Sequence, residues 1–184
     1  MASISTRYMK SKSCNYISII FLIFHSSLEI CAQTDVDVKV KDVPIEIRDY
    51  IIKTYPEAGK VRFFKETINE TILYEAAFKT GRDKYQLIFL SNNKLGSTKR
   101  QIRFTELADT LRKLMLQDLK ARYGSFALLK VKEINTLDEK IFELKVKLRL
   151  PDKRGFYEVF YSNTGNFILE QEEVLRSIPA NTDF

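Results

Sequence analysis

The sequence predicts an α+β protein. It is read as two tandem units, each a helix on a four-stranded antiparallel meander, that form one curved sheet with the helices on one face. Three observations predict it. Short runs of alternating apolar and polar residues are separated by turn residues, most clearly in Ile141–Asn166, IFELKVKLRLPDKRGFYEVFYSNTGN. Two other segments repeat apolar residues at helical spacing. Finally, an offset of 68 carries Ile47, Ile51 and Tyr55 onto Met115, Leu119 and Tyr123, Val61 and Phe63 onto Leu129 and Val131, and Tyr74, Ala76 and Phe78 onto Phe142, Leu144 and Val146. A constant offset through one helix and two strands is what a duplicated unit leaves behind.

The elements follow in order. Val36, Val38 and Val40 alternate with charged residues, which fits a short half-buried strand or an unpaired leader. Pro44 suits a first helical turn, where its missing N–H costs nothing. Ile47, Ile51 and Tyr55 then mark a helix of about three turns, and Pro56 stops it. In the second unit Thr105 is read as the N-cap of a helix carrying Leu107, Leu111, Met115, Leu119 and Tyr123, ended by Gly124. Strands are expected near Lys60–Glu66, Ile72–Lys79, Lys84–Leu90, Leu95–Arg103, Phe126–Ile134, Ile141–Leu150, Phe156–Tyr161 and Phe167–Glu173. Turn chemistry separates them, as at Gly81-Arg82-Asp83, Asn92-Asn93 and Thr164-Gly165-Asn166. Connections this short favour antiparallel neighbours. The organisation expected is residues 1–32 as a signal peptide, 33–42 as a leader, 43–104 and 105–175 as the two units, and 176–184 as a tail.

Residues 1–32 read as an export signal. Arg7, Lys10 and Lys12 precede the apolar run Ile17–Phe24, and cleavage is expected after Ala32. The run is short of the roughly 20 apolar residues a spanning helix needs. Leu28-Glu29-Ile30 places a charge and bulky side chains before Cys31, which disfavours lipid attachment there. Cleavage removes Cys14, Cys31 and His25, leaving neither cysteine nor histidine, and lowers the formal charge from +6 to +4. Stability must then come from burial without disulfides. The small charge is not a nucleic-acid footprint.

That inventory narrows the chemistry. Ser-His and Cys-His nucleophile systems and His-ligated zinc are excluded from the exported chain. The dense carboxylates, Asp138-Glu139 and Glu170 with Glu172 and Glu173, lack any sign of the burial that would tune them. Asp35, Asp37 and Asp42 lack the spacing and glycine of a calcium loop. No catalytic residue, metal or cofactor is assigned. A basic cluster, Lys99, Arg100, Arg103, Arg112 and Lys113, could meet an anionic envelope component.

The two faces of the predicted sheet differ. Phe142, Leu144, Val146 and Leu148 point one way, and Glu143, Lys145, Lys147 and Arg149 the other. Tyr157, Val159 and Tyr161 face the helix, whereas Phe156, Glu158 and Phe160 face water, as does Ile88 in the first unit. Val43-Pro44 before a short helix, Tyr55-Pro56 at its end, and the paired strands Tyr85–Asn93 and Tyr157–Gly165 closing on Asn- and Gly-rich turns resemble the PepSY-like domains of exported bacterial proteins. Two such copies resemble the beta-lactamase-inhibitory-protein architecture. The likeness spans Asp42–Val174, although the second unit lacks both proline motifs and tryptophan is absent.

The resemblance implies export and a binding role. The expected function is non-catalytic recognition of a protein in the periplasm or outside the cell, with inhibition as one mode. Its surface would be the open sheet face, comprising Ile88, Lys145, Lys147, Arg149, Phe156 and Phe160. The alternative is a small amphiphilic or anionic envelope ligand held between helix and sheet. An open face requires Phe160→Asp to leave stability nearly unchanged, because only a buried site penalises the new charge.

Overall fold

The computed structural model describes residues 36–68, 70–151 and 153–173. The signal segment 1–32 with its cleavage after Ala32, leader residues 33–35 and the 176–184 tail lie outside the described residues. The chain runs β1 (Val36–Val38), α1 (Ile45–Thr54), β2 (Arg62–Ile68), β3 (Thr71–Thr80), β4 (Asp83–Phe89), β5 (Leu95–Ile102), α2 (Asp109–Tyr123), β6 (Phe126–Thr136), β7 (Lys140–Arg149), β8 (Arg154–Ser162) and β9 (Phe167–Glu172). Single 3-10 turns at Val40–Asp42 and Phe104–Glu106 precede the helices.

Among the described residues the strands form one nine-stranded antiparallel sheet in strict chain order. This corrects the expectation of two helix-plus-four-strand meanders. The leader contributes β1, whose Val36–Val38 pair with Lys65–Phe63. The chain leaves β5 through α2 and returns as β6 directly beside it, Ser97–Ile102 pairing with Thr136–Val131. An unpaired edge there would leave a row of N–H and C=O groups without partners. Pairing satisfies them, and the sheet runs on without a break.

The helices α1 and α2 pack on one face. Ile47 and Ile51 of α1 meet Phe63, Ala76, Phe78, Leu87 and Phe89. Met115, Leu119 and Tyr123 of α2 meet Val131, Phe142, Leu144, Val146, Val159 and Tyr161. Each fully buried side chain of this size contributes about 1.5–3 kcal/mol, so these two clusters carry most of the stability. Pro44 caps α1 from just outside its first turn, its carbonyl accepting from the Arg48 N–H at 3.3 Å. Thr105 does not cap α2. It lies in the 3-10 turn, and the N-cap is Ala108, with no side-chain bond. Gly124 closes α2 at φ +62°, a left-handed conformation that glycine enters without penalty.

The second face holds a finding the alternation did not reveal. Phe160 points away from the helices, yet it is 2% exposed, packed with Ile134 and Ile141 and flanked by Leu169. Phe160 lies directly between Glu143 and Leu169 in one cross-strand row, with Ile134 and Ile141 paired in the row beside it. Side chains this close on a sheet pack against one another. The expectation that Phe160→Asp is harmless is therefore reversed. Phe160→Ala should lose about 3 kcal/mol; thermal unfolding should show a fall in Tm of roughly 6–12 °C, and an unchanged Tm would contradict the packing described.

Candidate functional site

The register lays the face away from α1 and α2, helix-free among the described residues, out as rows across the strands. One row reads Arg62, Ala77, Gln86, Lys99, Ile134, Ile141 from β2 to β7. The next reads Lys79, Lys84, Gln101, Lys132, Glu143, Phe160, Leu169 from β3 to β9. Past the bulge between Leu128 and Lys130, a third reads Lys130, Lys145, Glu158, Gln171. Face and sequence are tied by the period-two pleat, so every lysine in these rows points away from the helices.

All six residues expected at the site lie on this face, but they do not form one patch. Lys145, Lys147 and Phe156 come together: both ammonium groups sit 5.4 Å from the centre of the half-buried Phe156 ring. Lys145 also pairs with Glu173. Arg149 lies at the exposed end of β7, opposite Arg154. Ile88 stands four strands away from Phe156, between Glu75 and Ser97, half-buried; four strand spacings are about 19 Å. Phe160 belongs to the small buried cluster. Glu143 beside it is 3% exposed and is held by Lys132 at 2.6 Å.

The structure adds a groove of about 600 Å³ across β2–β6, lined by Lys60, Arg62, Lys79, Lys84, Lys99, Lys130 and Lys132 with Ala77, Gln86 and Gln101 between them. The Gly59 N–H donates to the Lys79 carbonyl at 2.8 Å, which fixes the turn carrying Lys60 at the rim. No carboxylate lines it. Arg62 meets Asp37 at 3.4 Å and Lys132 meets Glu143. Among the described residues, Lys60, Lys79, Lys84, Lys99 and Lys130 make no ion pair. The signal was present in the sequence as basic residues and glutamines two apart: Lys84-Tyr85-Gln86, Lys99-Arg100-Gln101 and Lys130-Val131-Lys132. Of the expected basic cluster only Lys99 lines the groove. Arg100 faces the helix side, opposite Tyr85 and Glu133, where its guanidinium lies 3.6 Å from Asp83 and 3.8 Å from Glu133. Arg112 sits on α2, paired with Asp109.

The clustered carboxylates serve the fold. The Tyr123 hydroxyl and the Lys153 ammonium both donate to Glu170, which ties α2 to β9. Asp118 accepts from Tyr161 at 2.9 Å and from Arg122 at 2.7 Å, and Arg122 stacks 3.5 Å over the Phe167 ring. Burial pushes the Glu170 carboxyl up, but the hydrogen bonds from Lys153 and Tyr123 outweigh it and hold the group below its ordinary value. Burial and the bond to Glu170 both push the Tyr123 hydroxyl up. The Asp138-Glu139 turn is closed by Thr136, whose hydroxyl oxygen accepts from both backbone N–H groups at 3.3 and 3.1 Å. Among the described residues no three Asp, Glu, His or Cys side chains gather as a metal-binding set, and no helix is long and apolar enough to cross a membrane.

No protein-family model matches this sequence, and no curated protein does. Solved structures do match in shape. A DUF2874 family protein from Bacteroides ovatus aligns at 17% identity and a TM-score of 0.56, over 70% of this chain and 86% of its own. A BLIP-like protein from Bacteroides fragilis aligns at 16% and 0.53, over 70% and 85%. The fold is BLIP-like. A third, provisionally assigned to the periplasm of Bacteroides eggerthii, aligns at 14% and 0.55, over 71% and 88%. At these identities the likeness establishes the fold and nothing further.

Glu170 gives a pH prediction. Its folded pKa lies below the unfolded value, so its stabilisation is full above about pH 4.3 and is lost as pH falls through the folded value. The urea midpoint should therefore drop on acidification below pH 5, and drop less in Glu170→Gln, which starts lower at pH 7. An equally steep acid limb in that variant would remove Glu170 from the account.

Proposed function

We propose that this protein is an exported, non-catalytic binding module that recognises a protein partner through the helix-free face of its sheet. The observation that carries the reading is the division of labour between faces. Both helices and the two large cores occupy one face, and the other keeps lysines and a lysine-flanked aromatic ring at the surface. Aromatic anchors among charged residues are how interfaces concentrate their energy. Export rests on the order of basic, apolar and small residues in 1–32, and a periplasmic setting is in keeping with the Bacteroides eggerthii neighbour. Val43 is buried at the foot of α1, so the Val43-Pro44 motif, which resembles that of PepSY-like domains, also has a packing reason. Inhibition of the partner is the proposed mode, as the resemblance to the beta-lactamase-inhibitory-protein architecture implies.

The alternative, a small ligand between helix and sheet, has less to support it. Ile47, Met115, Leu119, Leu87 and Val159 are all fully buried there and fill the layer between helices and strands.

A crosslinking pull-down from the native envelope, with the mature chain tagged at its C-terminus, tests the reading. One dominant protein should be captured and lost at least fivefold when Ile88 and Phe156 are changed to Asp. It should persist when Ile45 and Ile52, exposed on α1, are changed to Asp. Loss only in the α1 variant would move the site to the helices and overturn the proposal.

A further inference from the structure

We propose that the groove across β2–β6 binds an acidic polypeptide segment, about six residues long and rich in Asp or Glu, through Arg62, Lys79, Lys84, Lys99 and Lys130. The inference rests on the open-face reading above and names the chemistry of its partner.

The first support is an energetic oddity. Lys79 and Lys84 are directly opposite each other on β3 and β4, and Lys130 is directly opposite Lys145 on β6 and β7. Like charges paired across strands destabilise a sheet. Lys145 is relieved by Glu173, but Lys79, Lys84 and Lys130 have no such partner among the described residues. Folding gains nothing from the arrangement, whereas a negatively charged occupant would neutralise it.

The second support is shape. The cations extend from Arg62 on β2 to Lys130 and Lys132 on β6, four strand spacings or about 19 Å, which an extended chain of about six residues would span. A single phosphate cannot reach charges so dispersed. The lining also suits carboxylates along a chain better than phosphate, since it has one Arg among seven cations and so lacks paired guanidinium forks. Gln86 and Gln101 lie between the lysines, with amides able to donate to or accept from a peptide backbone. Gln86 already donates to Glu75 at 3.1 Å, which keeps that carboxylate occupied beside the groove.

The test is fluorescence anisotropy with fluorescein-labelled hexaglutamate and the mature chain. Binding should weaken as NaCl rises and fall at least tenfold in Lys84→Glu/Lys99→Glu. The doubly neutral Lys84→Gln/Lys99→Gln should fall about threefold. A control, Lys53→Glu/Lys113→Glu, makes the same change of net charge on the helix side and should fall less than twofold. Thermal unfolding of each variant confirms folding. No binding, or an equal loss in groove and helix variants, would overturn the proposal. Displacement of the peptide by inorganic phosphate or polygalacturonate at matched charge would overturn it too, by showing a surface that reads any anion. The pull-down separates the two levels. A partner lost with Ile88 and Phe156 but retained by the groove variants leaves face recognition standing and sinks the acidic segment. A partner indifferent to all four positions sinks both.

Discussion

Six residue pairs make this molecule one sheet: Ser97–Ile102 of β5 against Thr136–Val131 of β6. Everything on either side depends on that seam. Were the strands apart, two edges would expose backbone groups to solvent or to other chains. Joined, they let α1 and α2 share one face and leave a surface crossing the seam on the other. The groove lies across it, with Lys99 and Gln101 on β5 and Lys130 and Lys132 on β6.

The two faces are stabilised differently. On the helix side, apolar strands meet apolar helix stripes, and polar ties such as Tyr161 to Asp118 and Tyr123 to Glu170 fix α2 over β8 and β9. On the far side, among the described residues, Phe160 forms a small buried cluster with Ile134 and Ile141, and Leu169 packs against it. Buried Glu143 is tolerable there because Lys132 compensates its charge; removing one partner of such a pair is far costlier than the pair itself. Toward β2–β5 the face becomes polar and basic. Under the proposed reading, affinity and stability pull in opposite directions at Lys79 and Lys84, which stand opposite each other without an ion-pair partner among the described residues.

Much of the element order could be read from the chain, because period-two alternation is local. Phe142, Leu144, Val146 and Leu148 mark their strand without reference to any other. What pairs with what is not local. Nothing in Leu95–Ile102 announces β6 as its neighbour, since α2 intervenes, so one curved sheet was expected but was divided into two four-stranded units, and the order of strands where they meet could not be read. Facing also failed where bulges intervene: the irregularity between Leu128 and Lys130 leaves Leu129 exposed, although its apolar character matched Val61. Of the site, the lysine-flanked Phe156 was legible as an aromatic among charges. Burial of Phe160 was not, because it depends on neighbours from β6, β7 and β9. The groove needed the same cross-strand knowledge; its cations come from five strands and the turn before them.

The central claim is that the basic stretch of this face, across β2–β6, is open to a partner. Reductive methylation of lysines in the intact chain, read residue by residue by mass spectrometry, tests it most directly. The account predicts that Lys84 and Lys130 react at the rate of Lys53 and Lys113 on the helices, and that Lys132, half-buried against Glu143, lags behind. Protection of Lys84 and Lys130 by tenfold or more would mean that the face is covered, and would contradict the account.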